Sequence, residues 1–190
     1  MPLSSPVERE PVQTRKMECA CFRRSDGMWD VEGRLTDVAA YSFPNYFRGM
    51  IPAGEPIHDM WIRLTLDASV EIREVEVKMD GVPYEGCPGI AAAFGRLKGL
   101  RIGPGWNRKI RELFGGPRGC VHVVDLLRPV ATVGFKTVKR EAGRLDKAPA
   151  ERGDESPYQI DSCHMLAADG PIVRERWPDR YTGPRPATGE

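Results

Sequence analysis

A chain of 190 residues, 41% of them hydrophobic and with a net charge of +1, has apolar material for one globular domain and no surplus of either charge. That balance excludes a polyanion-binding tail and an electrostatically held membrane segment, so neither nucleic acid nor a membrane is an expected partner. Apolar runs such as Ile90 to Phe94 and Val121 to Val124 fall far short of the roughly 20 residues that cross a bilayer. The opening Met1-Pro2-Leu3-Ser4-Ser5-Pro6 has neither the basic nor the apolar region of a secretory signal, and a cytoplasmic protein is expected. Five cysteines, an odd count without a CxxC pair, argue for free thiols over a disulfide framework.

In chain order, residues 1–15 read as a flexible arm rich in Pro, Glu, Arg and Ser. A single domain is expected over 16–140, a linker over 141–157, and a segment packing back on the domain over 158–190. Met17, Cys19 and Cys21 alternate with Glu18, Ala20 and Phe22, the period of a strand. The turn signal Ser25-Asp26-Gly27 follows, then a second strand with Trp29, Val31 and Leu35 on one face, making a hairpin. A third strand sets Met60, Ile62, Leu64 and Leu66 against Trp61, Arg63, Thr65 and Asp67. A fourth carries Val75, Val77 and Met79, and because Val70 and Ile72 are out of phase with these, a turn or bulge is expected near Arg73.

The period then changes. Cys87-Pro88 suits a helix start, with Ile90, Phe94 and Leu97 recurring at helical spacing until Gly99. Pro104 opens a short helix bearing Trp106, Ile110, Leu113 and Phe114. Gly119 to about Arg140 reads as a third helix, with Pro129 as a site of kinking. Strands first and helices afterwards predict an α+β domain, an antiparallel sheet covered by helices on one face.

Three segments carry chemistry at the ends of these elements: Ile57-His58-Asp59-Met60, Pro83-Tyr84-Glu85-Gly86-Cys87-Pro88 and Gly119-Cys120-Val121-His122. Cys87 at a helix start has its thiolate favoured by the helix dipole and free N–H groups; otherwise it is a small buried hydrophobe. His122 can be a ligand, a base or a satisfied core histidine. His58 and Asp59 are neighbours on an extended chain and point to opposite faces, so His58 is taken as ligand and Asp59 as an orienting group or a surface ion-pair partner. Tyr84 can donate a hydrogen bond to a substrate oxygen, and Cys120 can join the site. Cys163-His164 is either a lid or extra ligand for the site, or ordinary packing. Trp29, Trp61 and Trp106 can line an aromatic cavity or fill the core, and Arg23, Arg24 and Arg63 can pair with a substrate carboxylate or be solvated.

Residues 54–138, with His58-Asp59, Gly86-Cys87 and Cys120-Val121-His122, resemble in order of elements the iron–sulfur cluster assembly scaffold proteins. The resemblance implies a scaffold-like core behind the N-terminal hairpin. The mixed N/O/S donor set favours a single zinc or iron ion over a cluster. The run from Arg23-Arg24-Ser25-Asp26-Gly27-Met28-Trp29-Asp30 through His58-Asp59-Met60 to Gly119-Cys120-Val121-His122 resembles a bacterial family catalogued as domain of unknown function 2889. That resemblance implies an accessory role in the catabolism of aromatic and acyl compounds.

The expected function is a metal-dependent lyase or hydrolase acting on a small carbonyl compound. His58, Cys87 and His122 would be metal ligands, and Tyr84, Asp59 and Cys120 catalytic groups. The alternatives are a metal-free Cys87–His122 pair attacking thioesters and a noncatalytic metal or iron–sulfur scaffold. A small-molecule substrate is the expected partner, with self-association into a homo-oligomer left open.

Overall fold

The computed structural model describes residues 4–145 and 159–183. The chain divides into two compact units, Met1–Gly143 and Arg144–Glu190. The linker expected over 141–157 lies mostly outside the described residues.

The first unit is α+β. Six strands come first: β1 (Gln13–Arg23), β2 (Trp29–Ala39), β3 (Phe43–Asn45), β4 (Gly49–Ile51), β5 (Pro56–Leu66) and β6 (Ile72–Gly81). A 3-10 segment, Cys87–Leu97, leads to α1 (Trp106–Phe114) and α2 (Val121–Leu145). The main sheet is antiparallel in the order β1-β2-β5-β6, and β3-β4 is a separate two-stranded hairpin. β1 and β2 form the N-terminal hairpin in unbroken register from Gln13 opposite Ala39 to Arg23 opposite Trp29. Because β1 begins at Gln13, the end of the arm expected over 1–15 belongs to the sheet.

One sheet face is apolar, as the alternation requires. Val31, Leu35, Met60, Ile62, Leu64 and Leu66 are buried there and pack with Phe94, Phe114, Leu126 and Val130 from the helical segments. Trp29 and Trp106 belong to this core, so they do not line a ligand cavity. The Trp106 indole N–H donates to the Leu127 carbonyl at 3.3 Å, tying α1 to α2. Trp61 is on the opposite face, under the Arg34 guanidinium at 4.7 Å from its ring centre.

Glycine sets how closely α2 lies on the sheet. A Cβ at Gly33 would be 2.5 Å from Val130 Cγ2, and one at Gly134 would be 2.9 Å from Leu66 Cδ1 and 3.0 Å from Val31 Cγ2. α2 therefore descends β2 in reverse, Val130 over Gly33 and Gly134 over Val31. From Gly134 back to His122 the helix rises about 18 Å, and from Val31 to Asp37 the strand rises about 20 Å. That match brings His122 over the far end of β2.

Three irregularities interrupt the ladder. Leu66 pairs with Ile72 while Thr65 pairs with Glu74, so Arg73 is the extra residue, the position where the apolar phase breaks. Asp37 pairs with His58 while Val38 pairs with Pro56, which makes Ile57 a bulge. Asp59 pairs with Gly81 and Met60 with Met79, leaving Asp80 extra. Two of the three adjoin His58, and bulges commonly re-aim side chains beside functional sites. α2 runs through Pro129 as one element.

The second unit contains a 3-10 turn at His164–Leu166, a short helix α3 (Pro171–Arg176) and a further turn at Pro178–Arg180. Cys163 and His164 are exposed there.

Candidate metal centre

Arg15, Asp37 and His58 stand in one row across three strands, Arg15 opposite Asp37 and Asp37 opposite His58. All three continue the buried face of the sheet beyond Met17, Leu35 and Met60, at the end where apolar side chains give out. Asp37 is 1% exposed, so its carboxylate needs compensation from the protein. Arg15 supplies most of it through a bidentate fork, Nε to Oδ1 at 2.6 Å and Nη2 to Oδ2 at 2.8 Å. The remaining terminal nitrogen of Arg15 reaches Asp125 of α2 at 2.9 Å.

Two imidazoles close on Oδ2 of Asp37: His58 Nδ1 at 3.0 Å and, from the first turn of α2, His122 Nε2 at 3.5 Å. Their rings stack at 3.6 Å between centres with planes 29° apart. On its other side, His122 Nδ1 is 3.9 Å from Cys120 Sγ, which leaves Nε2 turned to the carboxylate. One donor atom from each of Asp37, His58 and His122 lies within 4.8 Å of the others, a group that could hold a metal ion.

The electrostatics suit such a role. Burial pushes the His58 imidazole below its ordinary pKa, and the nearby His122 adds to this against the opposing pull of Asp37. Burial likewise lowers His122. Both shifts favour the neutral ring, the form that ligates metal. Burial by itself would raise Asp37, but the Arg15 fork, with Coulombic help from Arg15 and both histidines, holds it below the usual carboxylate range. Adjacent ligands on an ion with bonds of about 2.1 Å sit roughly 3.0–3.4 Å apart. Of the separations from Asp37, the 3.0 Å one falls within that range and the 3.5 Å one just above it.

A cavity of about 310 Å³ opens on the cluster, walled further by Gln13, Arg15, Tyr41, Phe43 and Ile57. Tyr41 and Phe43 meet edge to face at 6.0 Å.

Of the residues singled out from sequence, the structure brings His58 and His122 together from segments far apart in the chain. The third donor is Asp37, not Cys87, which is half-buried at the start of the 3-10 segment. Its backbone N–H donates to the Tyr84 carbonyl at 3.1 Å, and Tyr84 itself is 63% exposed. Asp59 points to the opposite face, held by Arg34 at 2.9 and 2.7 Å. Cys120 touches His122 without joining the donor cluster. Of the arginines offered as carboxylate readers, Arg24 binds Asp26 and Asp30, and Arg63 binds Glu32 and Glu76. Cys19 and Cys21 pack against the core, where burial raises both thiols. Asp37 and Arg15 escape a motif search because neither sits in a histidine- or cysteine-bearing run. The available signal was phase: Asp37 follows Trp29, Val31, Gly33 and Leu35 at intervals of two, which puts a carboxylate on the buried face.

Among the described residues no helix is long and apolar enough to cross a membrane. Neither a curated protein nor a solved structure matches the chain significantly. Residues 13–136 match the family described as Protein of unknown function (DUF2889), a span that takes in Arg15, Asp37, His58 and His122 alike, and the chain belongs to that family.

Proposed function

We propose that the protein is a metal-dependent enzyme, a lyase or hydrolase acting on a small carbonyl compound, with Asp37, His58 and His122 holding one divalent ion. The observation that carries this reading is the convergence of one carboxylate and two imidazoles within 4.8 Å on the wall of a cavity. Two histidines and a carboxylate are a ligand set of zinc hydrolases and of non-haem iron(II) enzymes, both of which leave coordination positions open. When bound, the ion would supply Lewis acidity for a carbonyl oxygen or lower the pKa of water. The chain's own contributions are distinct. Arg15 keeps Asp37 ionised and fixed, Cys120 turns the His122 ring, and the cavity gives a small molecule access to the cluster.

A scaffold or metal-chaperone role, which the resemblance of residues 54–138 to iron–sulfur scaffold proteins implies, calls for several thiolates. The donor cluster contains none, and this favours a retained single ion. Elemental analysis of tag-free protein, with titration of the apoprotein by zinc and by cobalt(II), tests the reading. About one equivalent of tightly held ion is expected in the wild type, lost in Asp37→Asn, His58→Ala and His122→Ala. No stoichiometric binding by the folded wild type would overturn it.

A further inference from the structure

We infer that the cavity beside this cluster binds a small aromatic carboxylate, whose acid group is read by Arg15 and whose ring lies against Tyr41 and Phe43. Arg15 has five N–H donors. Three are engaged, two with Asp37 and one with Asp125. One N–H on each terminal nitrogen therefore lacks a partner among the described residues, on a side chain that lines the cavity. The Arg15 side chain is 38% exposed, and its two spare N–H groups can each donate to an oxygen of a carboxylate. Gln13, also on the wall, adds an amide able to bond a second oxygen.

The rest of the wall sets the body of the ligand. Tyr41 and Phe43 form an edge-to-face pair, which a third ring extends in the offset or perpendicular geometries that aromatic groups favour. Ala39 and Ile57 complete an apolar floor. At about 310 Å³ the space is at the small end of ligand pockets, about 300–1,000 Å³, with room for one ring and its substituents. The inference rests on the metal-centre reading only for what is then done to the ligand.

Binding of benzoate, benzamide and acetate to the full-length protein is measured by ligand-observed NMR titration, once with chelator present and once with one equivalent of zinc. Benzoate should bind in both conditions at least about tenfold more tightly than benzamide, which has the ring without the charge, or acetate, which has the charge without the ring. Arg15→Lys, which keeps the charge beside Asp37 but loses the fork, should weaken benzoate about tenfold. Phe43→Leu should weaken benzoate and leave acetate unchanged. Equal affinity for benzoate and benzamide, or benzoate affinity unaltered in Phe43→Leu, would overturn the inference even if the Arg15 variant failed to fold. Benzoate selectivity without zinc binding would remove the metal reading and leave this one; zinc binding without benzoate selectivity would do the reverse.

Discussion

Replacing Gly33 by alanine tests whether glycine at the sheet–helix contact sets the height of α2 and hence the position of His122. The φ angle of Gly33 is not in the left-handed region, so alanine fits the backbone and by chain entropy alone would stabilise the protein by about 0.4–1 kcal/mol. The new Cβ would, however, lie 2.5 Å from Val130 Cγ2, whereas carbon atoms rest about 3.5–4.0 Å apart. Val130 is fully buried, and β-branching inside a helix leaves its side chain no alternative rotamer. Relief must come from lifting α2 by roughly 1 Å, at an overpacking cost of about 1–3 kcal/mol that exceeds the entropic gain. The same lift would widen the 3.5 Å gap between His122 and Asp37 beyond the spacing of two ligands on one ion. Urea unfolding should show the destabilisation, and cobalt titration an affinity lower by about tenfold or more. Val130→Ala removes the offending methyl group, so in a double-mutant cycle Gly33→Ala/Val130→Ala should be less destabilised than the sum of the single variants by about 1 kcal/mol or more. An unchanged urea midpoint for Gly33→Ala, or strict additivity in the cycle, would refute the reasoning.

Two further predictions follow from groups outside the site. Asp67 accepts hydrogen bonds from the Ser69 hydroxyl, the backbone N–H groups of Ser69 and Glu71, and the Arg73 guanidinium, and although burial works the other way these bonds lower its pKa to about 2. A depressed carboxylate stabilises above its unfolded pKa and loses the effect as pH falls through the folded value, so Asp67→Asn should cost about 2 kcal/mol at pH 7 and about half that at pH 3 by urea unfolding; a deficit that stays constant with pH would contradict this. Trp106→Phe removes the indole N–H that donates to Leu127 together with the pyrrole half of a buried ring, and a loss of more than about 1 kcal/mol is expected in thermal unfolding, with no loss counting against a contribution from that bond.

Alternation carried much of the fold into the sequence. The buried phase of β2, β5 and β6 was readable, and so was the break at Arg73, because a residue added to one strand shifts every later side chain to the other face. The short β3–β4 hairpin was not readable, since three-residue strands such as Phe43–Asn45 are too brief to show a period. His58 and His122 stood out by residue type and by place at element ends. Cys87 drew attention for the same reason, but a position at the start of a helical segment says nothing about which strand end faces it. Asp37 shows the limit most clearly. Its partner Arg15 is 22 residues away in sequence, and only strand register makes them neighbours. The direction of α2, which brings His122 to that end of the sheet, depends on packing at Gly33 and Gly134 that no local pattern announces.

β1 is an outermost strand, bonded along one side only among the described residues, and Gln13 and Arg15 lie among its first three residues. Strand tips of that kind fray far more readily than a sheet interior. Each excursion would carry the guanidinium away from Asp37 and leave an uncompensated anion under two imidazoles. The Arg15–Asp37 contact is thereby tied to how often this tip opens, and amide hydrogen exchange at Thr14 to Lys16 gauges that opening.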